Sequence, residues 1–157
     1  MTDVQTTGAM SAVDVYVGFS SDGTTWVDVS GTASTVAVSG GERVTGTAYT
    51  FVGDGPILKS GKKGPITVTV RSVYDENATN SFQKALTAYD TAGGGAMYVR
   101  WSPGGGDSGD FGFQTSAGIV KSCVYPSADV NSGDPIMTEV VVECASVTKS
   151  TIGTAGW

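Results

Sequence analysis

The tetrapeptide Gly106-Asp107-Ser108-Gly109 has the residue types that surround a nucleophilic serine in some hydrolases. Catalysis by such a serine needs a neighbouring base, most often a histidine, to take the hydroxyl proton. The chain contains no histidine. Its acidic residues are spread singly over predicted turns and strand faces, so no carboxylate pair is placed for general acid–base work. We therefore interpret the tetrapeptide as a glycine-rich turn and predict that the protein is not an enzyme.

Residues that could bind a metal are also few. Cys123 and Cys144 are far apart in the sequence, and without histidine they do not make a zinc site. Asp107 and Asp110 lie in a glycine-rich turn and could contribute to a calcium site, but the sequence has no EF-hand pattern or repeat. We predict no cofactor and no metal.

The two cysteines lie on separate predicted strands. The start of the chain has neither a basic segment nor an apolar run, so we expect no secretion signal. Two reduced, buried thiols are then the default, with a disulfide as the alternative.

An Asp-Gly turn followed by tryptophan occupies residues 21–27. It resembles a hairpin of discoidin-like carbohydrate-binding modules and, one residue short, the sialidase Asp-box. In a carbohydrate-binding β-sandwich, Trp26 or Trp101 would be the platform on which a sugar stacks. A tight turn with a packing tryptophan would produce the same pattern.

Composition favours one β-rich domain, over residues 1–157. Glycine accounts for 23 of the 157 residues, about twice the usual share of ~7%. The formal charge is −6, which argues against a protein that grips nucleic acid, because such proteins need a basic surface. No apolar run approaches the ~20 residues needed to cross a bilayer, so we expect no membrane association.

Alternating apolar and polar residues predict eight or nine strands. They are expected at residues 13–19, 26–29, 35–38, 42–52, 65–74, 97–101, 111–115, 118–125 and 137–148. Residues 82–89 form the only helix candidate, with Thr79, Asn80 or Ser81 as its cap. Its core-facing stripe is predicted to contain Phe82, Ala85, Leu86 and Tyr89. The predicted fold is mainly β, an antiparallel sandwich or barrel with one short helix on its flank.

The segment 51–64 is predicted to be a long hairpin loop. It is longer than the usual two to five residues of a hairpin connection, and it contains no Walker pattern. Phe51, Val52, Ile57 and Leu58 are apolar residues that a solvated loop does not need. Its lysines are either a solvated tip or pair with acidic residues on a partner. We therefore expect this loop to order against another copy of the protein.

One run of residues resembles a known family. It is Phe51-Val52-Gly53-Asp54-Gly55-Pro56-Ile57-Leu58, then Gly61-Lys62-Lys63-Gly64-Pro65-Ile66-Thr67-Val68-Thr69-Val70, and then Tyr74-Asp75-Glu76. Together with the order of elements over residues 12–148, it is similar to the major tail tube protein of long-tailed, siphovirus-like bacteriophages. The run itself covers about 25 residues.

The resemblance implies a structural virion protein that forms hexameric rings stacked into the tail tube. The long loop would reach the adjacent ring, with contacts from Phe51, Val52, Asp54, Ile57, Leu58, Lys59, Lys62 and Lys63. Arms at 1–11 and 149–157 would tie rings together through Val4, Ile152 and Trp157. DNA would pass through an acidic lumen without specific binding. Candidate lumen acids, which alternate with apolar residues on predicted strands, are Asp14, Asp28 and Glu143.

The same resemblance implies partners and a location. The homo-oligomer would meet tape measure, tail tip and tail terminator proteins, and it would be made in the bacterial host cytoplasm before entering the virion. Another virion β module, such as a tail terminator, decoration or baseplate protein, is the alternative within this class.

Overall fold

The computed structural model describes residues 10–11, 13–77 and 80–157. Within them the chain forms eleven strands and one helix. In chain order these are β1 (Tyr16–Ser20), β2 (Val27–Asp28), β3 (Ala33–Gly40), β4 (Arg43–Ala48), β5 (Ile57–Lys63), β6 (Ile66–Val73), α1 (Ser81–Asp90), β7 (Ala96–Ser102), β8 (Phe111–Thr115), β9 (Gly118–Val124), β10 (Met137–Cys144) and β11 (Val147–Thr151). The chain is mainly β and its strand pairs are antiparallel, which confirms the predicted fold class.

Two sheets share strand β7. Its later residues pair with β1 on one edge and β8 on the other, and β2 and β11 extend this first sheet. Its first two residues, Ala96 and Met97, pair with β9, and the second sheet continues through β10 and β6 to β3. The open edge of the second sheet is therefore β3.

Two pairs of strands turn the corner between the sheets. β8 and β11 belong to the first sheet and are connected directly to β9 and β10 of the second sheet, so the chain crosses from one sheet to the other twice at this corner. At the corner the Ser116 N–H donates to the Ser146 carbonyl over 2.9 Å, and the Ser146 N–H donates to the Ser116 hydroxyl over 3.2 Å. The bend gives the barrel-like shape of sheets whose strands cross over at corners.

The core lies between the sheets and under the helix. Val68 and Val70 on β6, and Val140 and Val142 on β10, are completely buried, while the residues between them point outward. The predicted alternation of these two strands is confirmed.

Helix α1 covers the core beside β9 and β10. Asn80 is its N-cap, and the Asn80 side-chain oxygen accepts a hydrogen bond from the Gln83 N–H over 2.9 Å. Phe82 and Ala85 are buried as predicted, but Tyr89 is 46% exposed and Ala88 is buried in its place. The buried face of the helix consists of Ser81, Phe82, Ala85 and Ala88. It is centred closer to Ser81 and Ala88 than the predicted stripe, and Tyr89 therefore faces solvent. Leu86 packs at the margin of the core.

No helix in the described part of the chain is long and apolar enough to cross a membrane.

Candidate assembly surfaces

Strands β4 and β5 form a two-stranded ribbon separate from the two sheets. They pair from Arg43 opposite Lys63 to Ala48 opposite Ile57, and the turn between them covers residues 49–56. The prediction of a loop over 51–64 is therefore wrong for its second half, which is strand. The pairing partner is the β-branched segment from Arg43 to Ala48, which the sequence pattern had assigned to a strand without a partner.

The ribbon exposes its apolar side chains on both faces. All residues of β4 and β5 are exposed. Exposure is 112% of the reference value for Phe51, 89% for Val52 and 67% for Leu58. Val44, which the sequence analysis did not single out, is 69% exposed on β4. An apolar ribbon that its own chain leaves uncovered marks an interaction surface.

The ribbon also carries basic side chains that have no acidic partner in the part of the chain that the structure describes. Lys59, Lys62 and Lys63 are exposed and make no ion pair with another described residue. The single ion pair among the described residues joins Lys121 to Glu143. Asp54 is exposed in the ribbon's turn. The lysines are thus available for carboxylates on another molecule.

Glycines fix the base of the ribbon. Gly40 and Gly41 have φ angles of 83° and 75°, in the left-handed region that glycine favours. A Cβ on Gly40 would lie 2.5 Å from the Pro65 carbonyl oxygen. The Gly41 N–H donates to the same oxygen over 2.9 Å, and the Gly64 N–H donates to the Glu42 carbonyl over 2.8 Å. These contacts fix the direction in which the ribbon projects from the two sheets.

The C-terminal segment is docked on its own domain, whereas residues 149–157 were expected to form an arm that reaches another ring. Lys149 lies in β11, and Ile152 is 3% exposed. The Gly109 N–H donates to the Ile152 carbonyl, and the Trp157 N–H donates to the Gly106 carbonyl, both over 3.0 Å. Since Ile152 is buried in its own subunit, it is not a free contact residue. The serine-containing turn is the element that holds the tail.

Trp157 completes an aromatic cluster around Arg100. The guanidinium carbon of Arg100 lies 5.1 Å from the ring centroid of Tyr16, 4.4 Å from that of Trp26 and 4.8 Å from that of Trp157. The Arg100 Nη2 group donates to the Tyr16 hydroxyl over 2.8 Å. The cluster covers the outer face of β1, so Tyr16 and Gly18 are buried although their alternation predicted a half-exposed strand. The cluster stabilises the fold rather than offering a free ligand site.

The three candidate lumen acids lie in two places. Asp14 and Asp28 are exposed and line one shallow groove beside β1. Asp14 lies in the turn before β1 rather than on a strand. Glu143 lies on β10, where its carboxylate is 2.8 Å from the Lys121 ammonium group and loses much of its repulsive effect. Val4 lies outside the described residues.

The cysteines are separate buried thiols. Cys123 lies opposite Val140, whereas Cys144 lies opposite Gly118. The offset of four residues along β10 corresponds to about 13 Å, too far for a disulfide. Burial raises the pKa of Cys123 to about 11, with a contribution from the Asp90 carboxylate. Burial also raises the pKa of Cys144.

Other chemistry suggested by the sequence finds little support in the geometry. The Asp110 carboxylate accepts a hydrogen bond from the Asp107 N–H, and the described residues contain no cluster of three metal-ligating side chains. Trp101 is 9% exposed and stacks on Phe113. Arg100 lies over the ring of Trp26. Neither tryptophan presents the open platform that sugar stacking needs.

Comparison with known proteins gives a likeness of fold. No protein-family model matches the chain, and no curated protein matches it in sequence. Among solved structures, a chain of the sheath/tube terminator structure of an extracellular contractile injection system has a TM-score of 0.68 at 16% identity, covering 91% of this chain and 97% of that chain.

A chain of the virion of a native gene transfer agent particle has a TM-score of 0.64 at 10% identity, covering 91% of this chain and all of that chain. The SPP1 tail tube has a TM-score of 0.62 at 15% identity, covering 91% of this chain and 80% of that chain. The chain therefore has a fold found in structures of tail tubes, tube terminators and related particles.

Proposed function

We propose that the protein is a structural subunit of a phage-like tail tube. The observation that carries the proposal is the projecting β4–β5 ribbon, whose apolar side chains remain uncovered in the single chain. Fully burying one exposed Phe or Leu stabilises an interface by about 1.5–3 kcal/mol. A ribbon that is unfavourable in water becomes favourable once a neighbouring subunit covers it. The fold likeness to tail tube structures supports the same function.

An open sheet edge supports ring formation. Among the described residues, the eight-residue strand β3 pairs on one edge only, and β11 is exposed at the border of the other sheet. Free edges pair with other chains unless they are blocked. A head-to-tail contact between edges either closes into a ring or continues as a filament. We propose closure into rings of six, which stack into the tube.

The acidic charge of the chain supports a role as a conduit for DNA. The chain has a formal charge of −6, and Asp14 and Asp28 provide an exposed acidic patch. We propose that acidic residues line the lumen and repel the DNA backbone, so that DNA passes without binding. Proposed partners are tape measure, tail tip and tail terminator proteins. The proposed location is the virion tail, after synthesis in the host cytoplasm.

Electron microscopy of the purified protein across a concentration series tests this function. We expect hollow tubes with a regular axial repeat, or six-fold rings. The variant Ile57→Asp/Leu58→Asp should keep the fold and lose polymerisation, because it places charge in the proposed contact. Tyr89→Asp is a matched control, since Tyr89 and Ile57 are each 46% exposed. Particles that stay monomeric at high concentration, also with a tail-tip complex added as initiator, would refute the proposal.

A tube terminator is the second candidate, because one similar structure is a sheath/tube terminator. A terminator caps a tube and should therefore form single rings that do not stack. The same concentration series separates the two functions, since only a tube subunit gives particles of increasing length.

A further inference from the structure

A wide groove lies at the end of the second sheet. It has a volume of about 1100 Å³ and is bounded by β6, the end of β9, the start of β10 and the connection between β9 and β10. Its apolar lining includes Val124, Ile136 and Met137. Val130, in the connection, is 98% exposed. The groove thus contains apolar side chains among polar ones, and the described part of the chain leaves it open.

The rim of this groove is acidic. Asp129, Asp134 and Glu139 line it, against the single basic residue Arg71. None of these carboxylates forms an ion pair with another described residue. The groove therefore combines apolar lining with a net charge of −2, from three acids and one base.

The ribbon has the complementary character. The segment 42–64 contains four of the nine basic residues and two of the fifteen acidic ones, so its charge is +2 and the rest of the chain carries −8. Its turn presents Phe51 and Val52, and its stem presents the lysines. An apolar tip on a basic stem fits an apolar groove with an acidic rim.

The two surfaces lie at opposite ends of β6. The ribbon joins this strand at Pro65 and Ile66, whereas the groove begins at Arg71 and the paired start of β10. An eight-residue strand spans roughly 23 Å at about 3.3 Å per residue. Donor and acceptor surfaces at opposite ends of one strand suit repetition of the chain along that direction.

We propose that the groove at the end of β6 and β10 is the acceptor for the β4–β5 ribbon of a second copy. The contact is head-to-tail, so each subunit gives its ribbon at one end and receives a ribbon at the other. An assembly built from this contact has a free ribbon at one end and a free groove at the other. It can therefore keep growing along its axis without closing. The proposal rests on the proposed tube function and identifies the surface that receives the ribbon.

Charge reversal on each side tests this contact. The ribbon variant is Lys59→Glu/Lys62→Glu, and the groove variant is Asp129→Lys/Asp134→Lys; all four positions are exposed. Each variant alone should raise the critical concentration for tubes about tenfold, because two attractive pairs become repulsive. Lys84→Glu, at an exposed helix position, should leave it unchanged.

Net charge alone predicts a different pattern. The ribbon variant changes the formal charge from −6 to −10, whereas the groove variant changes it to −2. If general repulsion controlled assembly, the groove variant would assemble better than the natural chain. If the two surfaces meet, both variants assemble less well.

Mixing the two variants is the decisive experiment. The acidic ribbon of one fits the basic groove of the other, and the remaining ribbon and groove are natural, so the mixture should form tubes at concentrations where neither variant does. A chain with all four substitutions should also assemble, but it should not extend natural tubes. Failure of the mixture, with both variants folded by circular dichroism, overturns the proposal.

Cross-linking of the natural protein gives an independent measurement if a variant does not fold. A carbodiimide joins a lysine to a carboxylate in direct contact, and the products are identified by mass spectrometry. We expect links from the ribbon lysines to Asp129, Asp134 or Glu139 in tubes and not in monomers. Links from these lysines only to other carboxylates overturn the proposal. If the natural chain makes no tubes, the proposed function fails; if it makes tubes without these links, only the acceptor surface is wrong.

Discussion

Replacing Trp157 with alanine tests whether the C-terminal segment belongs to the folded domain. The Trp157 ring centroid lies 5.9 Å from that of Tyr16, and such ring pairs contribute about 0.5–1.5 kcal/mol. Its contact with the Arg100 guanidinium contributes about 0.5–1 kcal/mol at a partly exposed site. The indole ring of Trp157 covers apolar area at Gly112, which stabilises the folded state by about 1 kcal/mol. Ordering the end of the chain costs about 1 kcal/mol. We expect the free energy of unfolding to fall by about 2 kcal/mol.

Urea unfolding of the monomer, followed by circular dichroism, measures this loss. In thermal unfolding of a chain of this length, a loss of about 2 kcal/mol corresponds to a decrease in Tm of about 4–8 °C. The assay should be run below the concentration at which the protein assembles, because assembly stabilises the folded state.

Gly112 supplies the matched partner for a double-mutant cycle. A Cβ on Gly112 would lie 2.1 Å from the Cη2 atom of Trp157, so Gly112→Ala must displace the indole ring. Gly112 does not have a positive φ angle, so alanine itself fits the backbone. Each single substitution should be destabilising, and the double variant should lose much less than the sum.

Two results would refute the reasoning. One is a loss below about 0.5 kcal/mol for Trp157→Ala, which is the usual range for surface positions. The other is additive behaviour of Gly112→Ala and Trp157→Ala. Either result would mean that the tail does not lie on β8 in solution and is free to contact other subunits.

Three further substitutions test other parts of the fold. Asn80→Ala removes the helix N-cap and should lower the free energy of unfolding by about 1 kcal/mol in urea titrations, whereas Asn80→Ser should restore most of it. Ser72→Ala removes buried hydrogen bonds to the Ser81 and Thr138 hydroxyls and should cost about 1–3 kcal/mol in the same assay, so an unchanged midpoint would contradict the network. The pKa of Cys123 is raised from 9.0 to about 11, so between these pH values the folded chain keeps a thiol proton that the unfolded chain has lost. The stability that the neutral thiol contributes is therefore fully present below pH 9 and is lost as the pH rises towards 11. Cys123→Ala should therefore lose less stability than the natural chain between pH 9 and pH 11, and equal slopes would contradict the buried thiol.

Local patterns predicted the elements whose environment is simple. β6 and β10 have one face in the core and one outside, so the period of two in their sequences corresponds directly to burial. The helix was found from its cap and apolar spacing, but its exact face depends on the sheet beneath it. For this reason Tyr89 was assigned to the core and Ala88 was not.

Features that depend on distant parts of the chain could not be predicted in the same way. β1 is buried on both faces because Trp157 and Arg100, far away in sequence, cover its outer side. The segment 51–64 was singled out by its apolar and basic residues but was predicted to be a loop, because its strand character depends on pairing with β4. The acidic groove was missed entirely, since most of its residues lie in the turn-rich stretch 124–139, which has no periodicity, and the groove forms only where this stretch meets Arg71 of β6.

The corner shared by the two sheets has a mechanical consequence. Because β8 continues into β9 and β10 into β11, neither sheet can slide over the other without pulling on the covalent backbone. A force applied to one sheet is carried through Ser116 and Ser146 into the other as tension along the chain. Side-chain packing alone would yield gradually under such a load, whereas continuous strands resist until whole ladders of hydrogen bonds break together. The domain should therefore behave as one stiff element when a force acts along its strands.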